Sequence, residues 1–429
     1  MDNTLKQETK SRILLRLISI IFSLVFFYNI SISLYYFSAK VAALFNPKAK
    51  QFIKGRKTIF DEIKSIYFSE NIYWFHCASL GELEQGKPII ERIKDKESSI
   101  KILITFFSPS GYEYGKNYTL ADYTFYLPID TKANAEKFIK HINPKKVFFI
   151  KYEFWYHYLF ELNRKKIPTY LVSGIFRKNQ LFFKWYGSIH KEMLSFFTHF
   201  FVQNESSKTL LSNLGYLNIT TTGDTRLDRV YENSLTPEKP ALIKKFIGNK
   251  KSIILGSSWL EEEKVISEFI NTSKKEYQFI IAPHDVSKKH IAEIEKLIKT
   301  DLIKYSEANY DNISSFKTLI IDNIGILANT YQFTDIAFIG GGFSGALHNV
   351  LEPASFGNAV LFGPKHEKFH EAEALIKIGG AYEISDSDDL RAVLNHLEEN
   401  SNLSKAQKIN KDYIKNNRGA SKKILKKLF

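Results

Sequence analysis

The sequence predicts an α/β protein with two Rossmann-like parallel-sheet domains that face a cleft, preceded by an N-terminal membrane-anchor helix. Short apolar runs of strand length alternate with amphipathic segments of helical period. This alternation favours parallel strands covered by helices on both faces. The pattern restarts after a stretch that contains Pro and Lys, Thr236–Lys245, which indicates a second domain. In such folds ligands bind at the carboxyl ends of the strands.

The predicted strands are bounded by polar or glycine-containing turns. In the first half they are Ile72–Cys77, Lys101–Thr105, Tyr123–Leu127, Val147–Ile150, Thr169–Ser173 and His199–Val202, with helices such as Glu82–Lys94 and Thr131–Ile142. In the second half they are Ser252–Leu255, Gln278–Ala282, Thr318–Ile321, Ile336–Ile339 and Ala359–Phe362.

Four segments follow from this pattern. Residues 1–40 form the anchor, 41–235 the first Rossmann-like domain, 236–403 the second, and 404–429 a basic helix. In two-lobed folds the last helix often crosses back to the first lobe. Its ending, KKILKKLF, equally suits a helix resting on anionic lipid.

The N-terminal segment indicates attachment to a membrane. Four basic residues precede an uncharged run, Leu17–Ala39, that is long enough to cross a bilayer. Tyr35, Tyr36 and Phe37 near its end resemble an interfacial aromatic belt. Interspersed Ser and Asn residues leave open a helix that lies in the interface. We expect the body of the chain on the cytoplasmic face of the inner membrane.

Composition limits the partners without choosing one. Lys and Arg number 60 against 46 Asp and Glu, a net charge of +14 that suits nucleic acid, an anionic membrane or an anionic substrate. No nucleic-acid recognition motif accompanies the charge, so no nucleic-acid partner is expected. The single cysteine, Cys77, excludes a disulfide framework and a thiolate metal site.

The segment Ile339–Glu371 has the pattern of a nucleotide-binding βαβ unit. Three glycines, Gly340–Gly342, follow a strand and allow the backbone to approach a ligand closely. A helix that starts behind them would direct free N–H groups at an anion. Glu352, one turn into that helix, is placed to accept hydrogen bonds from two ribose hydroxyls.

Glu82 is the first candidate acid–base residue. It follows strand Ile72–Cys77 in the motif Ser79–Glu82, where a carboxylate can take a proton from an attacking hydroxyl. The alternative is a capping box with Ser79, and the motif alone favours that alternative.

Other strand ends carry further polar candidates. Glu153 lies among aromatic residues beside Lys151, as a functional carboxylate or as a buried partner of that lysine. Arg226 suits a carboxylate or phosphate as a bidentate fork, or an ion pair with Asp224 or Asp228. Asp130 is expected to cap the helix Thr131–Ile142. His284 follows a strand as a phosphate or base contact, or as polar surface.

Taken together, these motifs resemble the 3-deoxy-D-manno-octulosonic acid (Kdo) transferases of lipid A biosynthesis, which are inverting glycosyltransferases of the GT-B fold. The matching motifs are Ser79–Glu82, Thr105–Gly111, Tyr126–Asp130, Tyr152–Trp155, Thr222–Asp228, Gly256–Glu263 and His348–Pro353. The resemblance covers nearly the whole chain. It implies transfer of Kdo from CMP-Kdo to a hydroxyl of a lipid A precursor such as lipid IVA.

The resemblance also implies roles for individual residues. Glu82 corresponds to the catalytic base, and Glu153 and Arg226 to groups that stabilise the transition state, with Arg226 standing where the family usually has Lys. The first domain then binds the acceptor and the second the CMP-sugar. The CMP-binding positions are Pro283, His284, Gly325, Ile326, Leu327, Asn349, Val350, Leu351 and Glu352.

Two departures from the family pattern concern the donor site. The usual Pro-Arg-His is here Ala282-Pro283-His284, so an arginine is missing; Lys288 or Lys289 is a candidate replacement for its charge. The usual Gly-Glu-Leu is Gly325-Ile326-Leu327. Because CMP-Kdo carries one phosphate and a carboxylate, basic side chains and helix N-termini suffice to neutralise it, and no metal or other cofactor is expected.

Two alternative functions remain beside this interpretation. One is another membrane-associated GT-B transferase that uses a UDP-sugar. The other is a non-catalytic membrane-bound nucleotide-binding protein, in which Glu82 would be dispensable.

Overall fold

Two separate seven-stranded parallel sheets organise the chain in the computed structural model, which describes residues 24–68 and 70–429. The strands are β1 Ile72–Cys77, β2 Lys101–Phe106, β3 Tyr123–Tyr126, β4 Lys146–Ile150, β5 Thr169–Gly174, β6 His199–Val202, β7 Ile219–Thr221, β8 Ser252–Ser258, β9 Gln278–Pro283, β10 Leu302–Lys304, β11 Thr318–Ile320, β12 Ile336–Ile339, β13 Ala359–Phe362 and β14 Ala381–Glu383.

Helices cover both sheets. They are α1 (residues 24–42), α2 Pro47–Lys54, α3 Ile59–Lys64, α4 Leu80–Lys96, α5 Pro109–Gly115, α6 Lys132–Ile142, α7 Tyr156–Arg164, α8 Ser188–Ser195, α9 Glu205–Ser212, α10 Thr225–Leu235, α11 Ala241–Ile247, α12 Leu260–Thr272, α13 Lys288–Leu297, α14 Leu327–Thr330, α15 Leu351–Phe356, α16 His370–Lys377, α17 Ser387–Glu398, α18 Asn402–Asn417 and α19 Ala420–Leu428.

The chain divides into two compact units. Unit 1 comprises Met1–Arg229 and Gly419–Phe429, and unit 2 comprises Val230–Arg418. The change falls inside α10, whereas the sequence placed it between residues 235 and 236. The sheet of unit 1 has the order β3-β2-β1-β4-β5-β6-β7 and that of unit 2 the order β10-β11-β9-β8-β12-β13-β14. The prediction of two parallel-sheet α/β domains is therefore confirmed.

Burial on both faces of the sheet explains why these continuous apolar runs form strands. Strand β1 is buried along its whole length. Its Trp74 joins the apolar cluster on one face of the sheet, and Phe75 and Cys77 join the cluster on the other. Successive side chains of a strand point to opposite faces, so a strand covered on both sides reads as one continuous apolar run.

The expected single basic helix over 404–429 is wrong. The chain forms α18 and then α19, which are separated at Gly419, where φ is +106°. This left-handed conformation favours glycine and ends a helix. Helix α19 packs on unit 1, with Ile424 and Leu428 in its core. Because the apolar face of α19 is buried in protein, it does not serve as a lipid-binding face.

Helix α1 docks on unit 1 through polar and apolar contacts. Leu24, Val25 and Tyr28 pack against its core. The Nε2 atom of His157 lies 2.6 Å from Asn29 Oδ1. The opposite side of α1 is apolar and exposed, with Phe26, Phe27, Ile30, Leu34, Phe37 and Val41.

Within residues 24–68 and 70–429, no helix combines the length and the apolar character needed to cross a bilayer. Residues 17–23 of the predicted anchor run lie outside this part of the chain. The anchor itself therefore stays a prediction.

Asp130 joins α1 to the rest of unit 1, which corrects its expected role. Its carboxylate accepts backbone N–H groups of His157 and Tyr158, each at 3.1 Å, and the Tyr28 hydroxyl at 2.5 Å. Asp130 therefore caps α7 rather than the following helix. Thr131 fills the cap of α6 instead, by accepting the N–H of Asn134.

We expect Asp130 to make the stability of unit 1 depend on pH. Burial raises the pKa of Asp130 from its ordinary 3.8 to about 6, although its hydrogen bonds partly offset that effect. The folded state therefore binds a proton that the unfolded state has lost between these values, so this contribution grows as the pH falls through 6. Urea unfolding of wild type and Asp130→Asn from pH 7 to 4.5 checks this. A stability difference between the two proteins that stays constant over that range would contradict it.

Candidate functional site

The carboxyl edge of the unit 1 sheet collects the predicted motifs. Strands β2, β1 and β4 are neighbours and all run parallel, so their following loops leave at one edge. The Ser108 N–H donates to the Ala78 carbonyl at 2.8 Å. A Cβ at Gly111 would lie 2.9 Å from the Cα of Ser79. Only glycine therefore allows the loops after β1 and β2 to pack this closely.

Glu82 occupies the capping position that the sequence allows. Ser79 is the N-cap of α4, and the Glu82 carboxylate accepts the Ser79 backbone N–H at 3.0 Å and the Ser79 hydroxyl. The side chain is half-buried at the start of the helix. The capping box holds the carboxylate in one orientation at this edge.

Glu153 lies at the same edge, after β4. Its Oε2 accepts the indole N–H of Trp155 at 2.7 Å and lies 3.1 Å from Nε2 of His76. The Glu153 side chain is 15% exposed. Glu153 makes these contacts instead of the pairing with Lys151 that was the structural alternative, and the Lys151 ammonium lies over the Tyr152 ring.

Glu82 and Glu153 follow β1 and β4, which are neighbouring parallel strands, so both carboxylates lie at the carboxyl edge of the sheet. Burial chiefly, and then the charges of Glu82 and Glu153, raise the pKa of the Cys77 thiol. The structure thus brings the two predicted carboxylates to one place on unit 1.

Arg226 forms the ion pair that was the alternative in the sequence. Its Nε and Nη2 donate to Asp224 Oδ2 at 2.8 and 2.7 Å. Burial alone would raise the pKa of Asp224, but Arg226 and the Gln85 amide hold it below the ordinary value. Since Gln85 belongs to α4, the pair is tied to the helix that starts beside Glu82. Asp228 instead caps α19, by accepting the N–H groups of Gly419 and Ser421.

The three-glycine turn of unit 2 is not the open anion cradle that we expected. Glu262 of α12 accepts the N–H of Gly341 at 2.8 Å and that of Phe343 at 3.4 Å. A Cβ at Gly340 would lie 2.1 Å from the Ser257 carbonyl oxygen, and one at Gly342 would lie 2.3 Å from the Gly363 nitrogen. These glycines therefore allow close packing of the chain on itself.

Asn349 and Glu352 lie together at the start of α15. The Asn349 amide donates to Glu352 Oε1 at 3.0 Å, and its oxygen accepts the Leu351 N–H at 3.1 Å. Val350 is the N-cap residue. Glu352 also lines a cavity of about 240 Å³. The other lining residues are Val230, Asn233, Thr236, Glu238, Ala328, Asn329, Ser355 and Phe356.

The predicted segment Gly325–Leu327 leads into that cavity wall. Gly325 has φ of +109°, and Ile326 is the N-cap of α14, which carries Ala328 and Asn329. The structure thus brings this segment and Glu352 to one region of unit 2.

His284 belongs to a stack of rings that the sequence did not reveal. Its ring lies 4.5 Å from Trp259 and 4.7 Å from His348, between centroids. Burial, and then the nearby His284, lowers the pKa of His348 to about 4. The preceding Pro283 is buried at the end of β9, and Lys288 and Lys289 are exposed on α13. Aromatic rings therefore pack against His284, the residue that follows the position of the missing arginine.

The chain resembles one family of known proteins. Residues 50–229 match the family model of 3-deoxy-D-manno-octulosonic-acid transferase (kdotransferase). The 3-deoxy-D-manno-octulosonic acid transferase of Rickettsia prowazekii is 25% identical over 83% of this chain and 78% of its own length. That of Haemophilus influenzae is 25% identical over 82% of this chain and 85% of its own. This chain is therefore similar to Kdo transferases over most of its length.

One further relative is longer than this chain. A bifunctional glycosyltransferase/methyltransferase of Fusobacterium nucleatum is 29% identical over 74% of this chain. The matched part corresponds to 50% of the length of that relative.

Solved structures agree on the fold alone. A UDP-GlcNAc 2-epimerase from Neisseria meningitidis gives a TM-score of 0.60 at 18% identity, over 83% of this chain and 98% of its own. MurG of Acinetobacter baumannii gives 0.53 at 10% identity, over 83% and 98%. The architecture of this chain is therefore GT-B-like.

We predict that Glu262→Ala destabilises unit 2. It leaves the N–H group of Gly341 buried without an acceptor, at a cost of about 1–3 kcal/mol, and removes the longer, part-buried contact with the Phe343 N–H. Chemical unfolding and faster hydrogen exchange at the Gly341 amide measure the effect. The matched control is Glu261→Ala, an exposed neighbour in the same helix turn. Equal stability of the two variants would contradict the bracing role of Glu262.

Proposed function

We propose that this protein is an inverting glycosyltransferase that moves Kdo from CMP-Kdo to a hydroxyl of a lipid A precursor such as lipid IVA. The observation that carries the proposal is the position of Glu82 and Glu153 after the neighbouring parallel strands β1 and β4, at the carboxyl edge of the unit 1 sheet. This edge lies within the segment that matches the Kdo transferase family model.

In this proposal Glu82 is the general base. The acceptor hydroxyl gives its proton to the carboxylate while its oxygen attacks the anomeric carbon of Kdo, and the bond from that carbon to the CMP oxygen breaks. A single displacement of this kind inverts the configuration. The capping contact with Ser79 fixes the carboxylate before the substrate arrives, which reduces the cost of orienting it. Glu153 and Arg226 are assigned to stabilising the transition state.

Unit 2 is assigned to the donor. Glu352 accepts the ribose hydroxyls, and its position on the wall of the 240 Å³ cavity, beside the segment Gly325–Leu327, supports that role. The Asn349 amide orients Glu352 through their 3.0 Å hydrogen bond. Val350, Leu351, Pro283 and His284 complete the proposed CMP-binding set.

We expect Glu82→Gln to abolish Kdo transfer while leaving the fold and CMP binding intact. Glutamine also fits the third position of a capping box, so the variant keeps the local structure and loses the base. Removal of a general base costs about 10²- to 10⁴-fold in rate. Transfer is measured with CMP-Kdo and lipid IVA, with products separated by mass.

The matched control is Glu84→Gln, which changes a carboxylate of the same helix that pairs with Lys87. It should retain transfer. Normal turnover by Glu82→Gln would overturn its assignment as base. Release of UDP from UDP-sugars, with none of CMP from CMP-Kdo, would replace the proposed donor.

We further infer that unit 1 rests on the cytoplasmic face of the inner membrane. The exposed apolar side of α1 and the net charge of +14 both favour an anionic lipid surface. Since Tyr28 and Asn29 fix α1 to unit 1 by its other side, this arrangement brings the proposed acceptor-binding unit to the lipid that it modifies.

We predict that the protein sediments with vesicles containing anionic phospholipid, less so as salt increases. The double variant Phe27→Asp and Leu34→Asp should weaken binding, because it places charge on the exposed side of α1 while sparing its docked side. The control Tyr310→Asp changes an exposed aromatic residue of unit 2. If both variants bind as the wild type does, α1 is not the lipid-binding surface.

A further inference from the structure

We propose that His76 is the positioning residue for Glu153: its Nε2–H fixes one carboxylate oxygen and leaves the other for the reacting sugar. This inference rests on the proposed function, in which Glu153 acts at the transition state. The sequence showed no sign of it, because His76 lies inside the apolar run of β1.

A buried chain of hydrogen bonds leads to Glu153. Thr105 of β2 lies directly opposite His76 of β1 in the sheet register. The Nε1–H of Trp74 donates to Thr105 Oγ1 at 2.8 Å, and His76 Nδ1 lies 2.8 Å from the same oxygen. On the other side of the ring, Nε2 of His76 lies 3.1 Å from Glu153 Oε2. His76 is fully buried.

The donors and acceptors of this chain place a proton on Nε2. An ionised carboxylate only accepts, so the hydrogen bond between Nε2 of His76 and Oε2 of Glu153 requires the hydrogen on Nε2; the Thr105 hydroxyl, which accepts from Trp74, then donates to Nδ1. In the neutral ring the other nitrogen then carries hydrogen, and Nε2–H donates to Glu153. The indole nitrogen of Trp155 lies 2.7 Å from the same carboxylate oxygen and 3.1 Å from Nε2 of His76, and we assign its hydrogen to the shorter contact with Glu153.

Two donors therefore hold Oε2 of Glu153. Among the residues that the structure describes, no donor contacts its Oε1. A carboxylate held at one oxygen keeps its plane and leaves the second oxygen for a substrate. Fixing the group before the reaction avoids reorganisation in the transition state.

Two substitutions of the same residue separate this role from core packing. Glutamine places its amide nitrogen near the position of Nε2, so His76→Gln keeps the donor to Glu153 and loses the contact with Thr105. Asparagine places its polar atoms near the position of Nδ1, so His76→Asn keeps the contact with Thr105 and loses the donor to Glu153.

We expect His76→Asn to lower kcat for Kdo transfer by about 10- to 100-fold, the range found when outer-shell groups that orient functional ligands are removed. Its KM for CMP-Kdo should change little. His76→Gln should retain most of the wild-type kcat. The matched control is His199→Gln, because His199 is also a buried strand histidine of unit 1 that lies 2.8 Å from a threonine hydroxyl, that of Thr220. It should leave transfer unchanged.

Side-chain ¹⁵N spectra of the histidines provide a readout that needs no turnover. The signal lost in His76→Gln should show a protonated Nε2 in the wild type, and it should shift in Glu153→Gln. A wild type that transfers Kdo, with His76→Asn and His76→Gln equally active or equally impaired, overturns the positioning role and leaves the proposed function standing. A wild type that transfers no Kdo overturns the proposed function, and the spectra then decide the His76–Glu153 hydrogen bond separately. An unprotonated Nε2 overturns that bond.

Discussion

Parallel hydrogen bonding of the strands is the constraint on which the candidate site depends. In the unit 1 sheet β2, β1 and β4 are adjacent and share one direction, so every segment that leaves a carboxyl end does so at the same edge. Glu82 and Glu153 are separated in sequence by three strands and the helices between them. They lie at the same edge because the strands before them, β1 and β4, are neighbours. The close approach of Gly111 to Ser79 packs the loops after β1 and β2 against each other.

Most motif residues have a local structural partner as well as a proposed chemical role. Glu82 caps α4, Arg226 pairs with Asp224, and Asn349 accepts the Leu351 N–H at the start of α15 while it donates to Glu352. Such contacts do not argue against function, because a side chain that is already oriented loses less conformational freedom when it meets a substrate. Asp228 and Glu262 have no proposed chemical role. Their carboxylates accept backbone N–H groups of Ser421 and Gly341 and so stabilise the packing of the chain.

The sequence predicted the buried parts of the fold well. Eleven strands were visible as apolar runs because helices cover both faces of their sheets. The missed strands, β7, β10 and β14, each have three residues and lie at sheet edges, where too few residues are buried to produce a pattern. The capping box at Glu82 was visible because it is local. The His76–Glu153 contact was not, since it joins residues 77 positions apart. Asp130 was misassigned for the same reason: its partners lie in α7 and α1 rather than in the adjacent helix.

The return of α19 to unit 1 has a consequence for synthesis on the ribosome. Ile424 and Leu428 pack in the apolar cluster that contains residues of β1 and β4. The Asp228 carboxylate accepts the N–H groups of Gly419 and Ser421. Unit 2 is continuous in sequence, whereas unit 1 is completed only by residues made after all of unit 2. Domains that fold during translation generally do so as units, from the N-terminal end. In this chain all residues of unit 2 are made before unit 1 is complete. Until α19 has been made, unit 1 lacks the apolar side chains of Ile424 and Leu428 in its core.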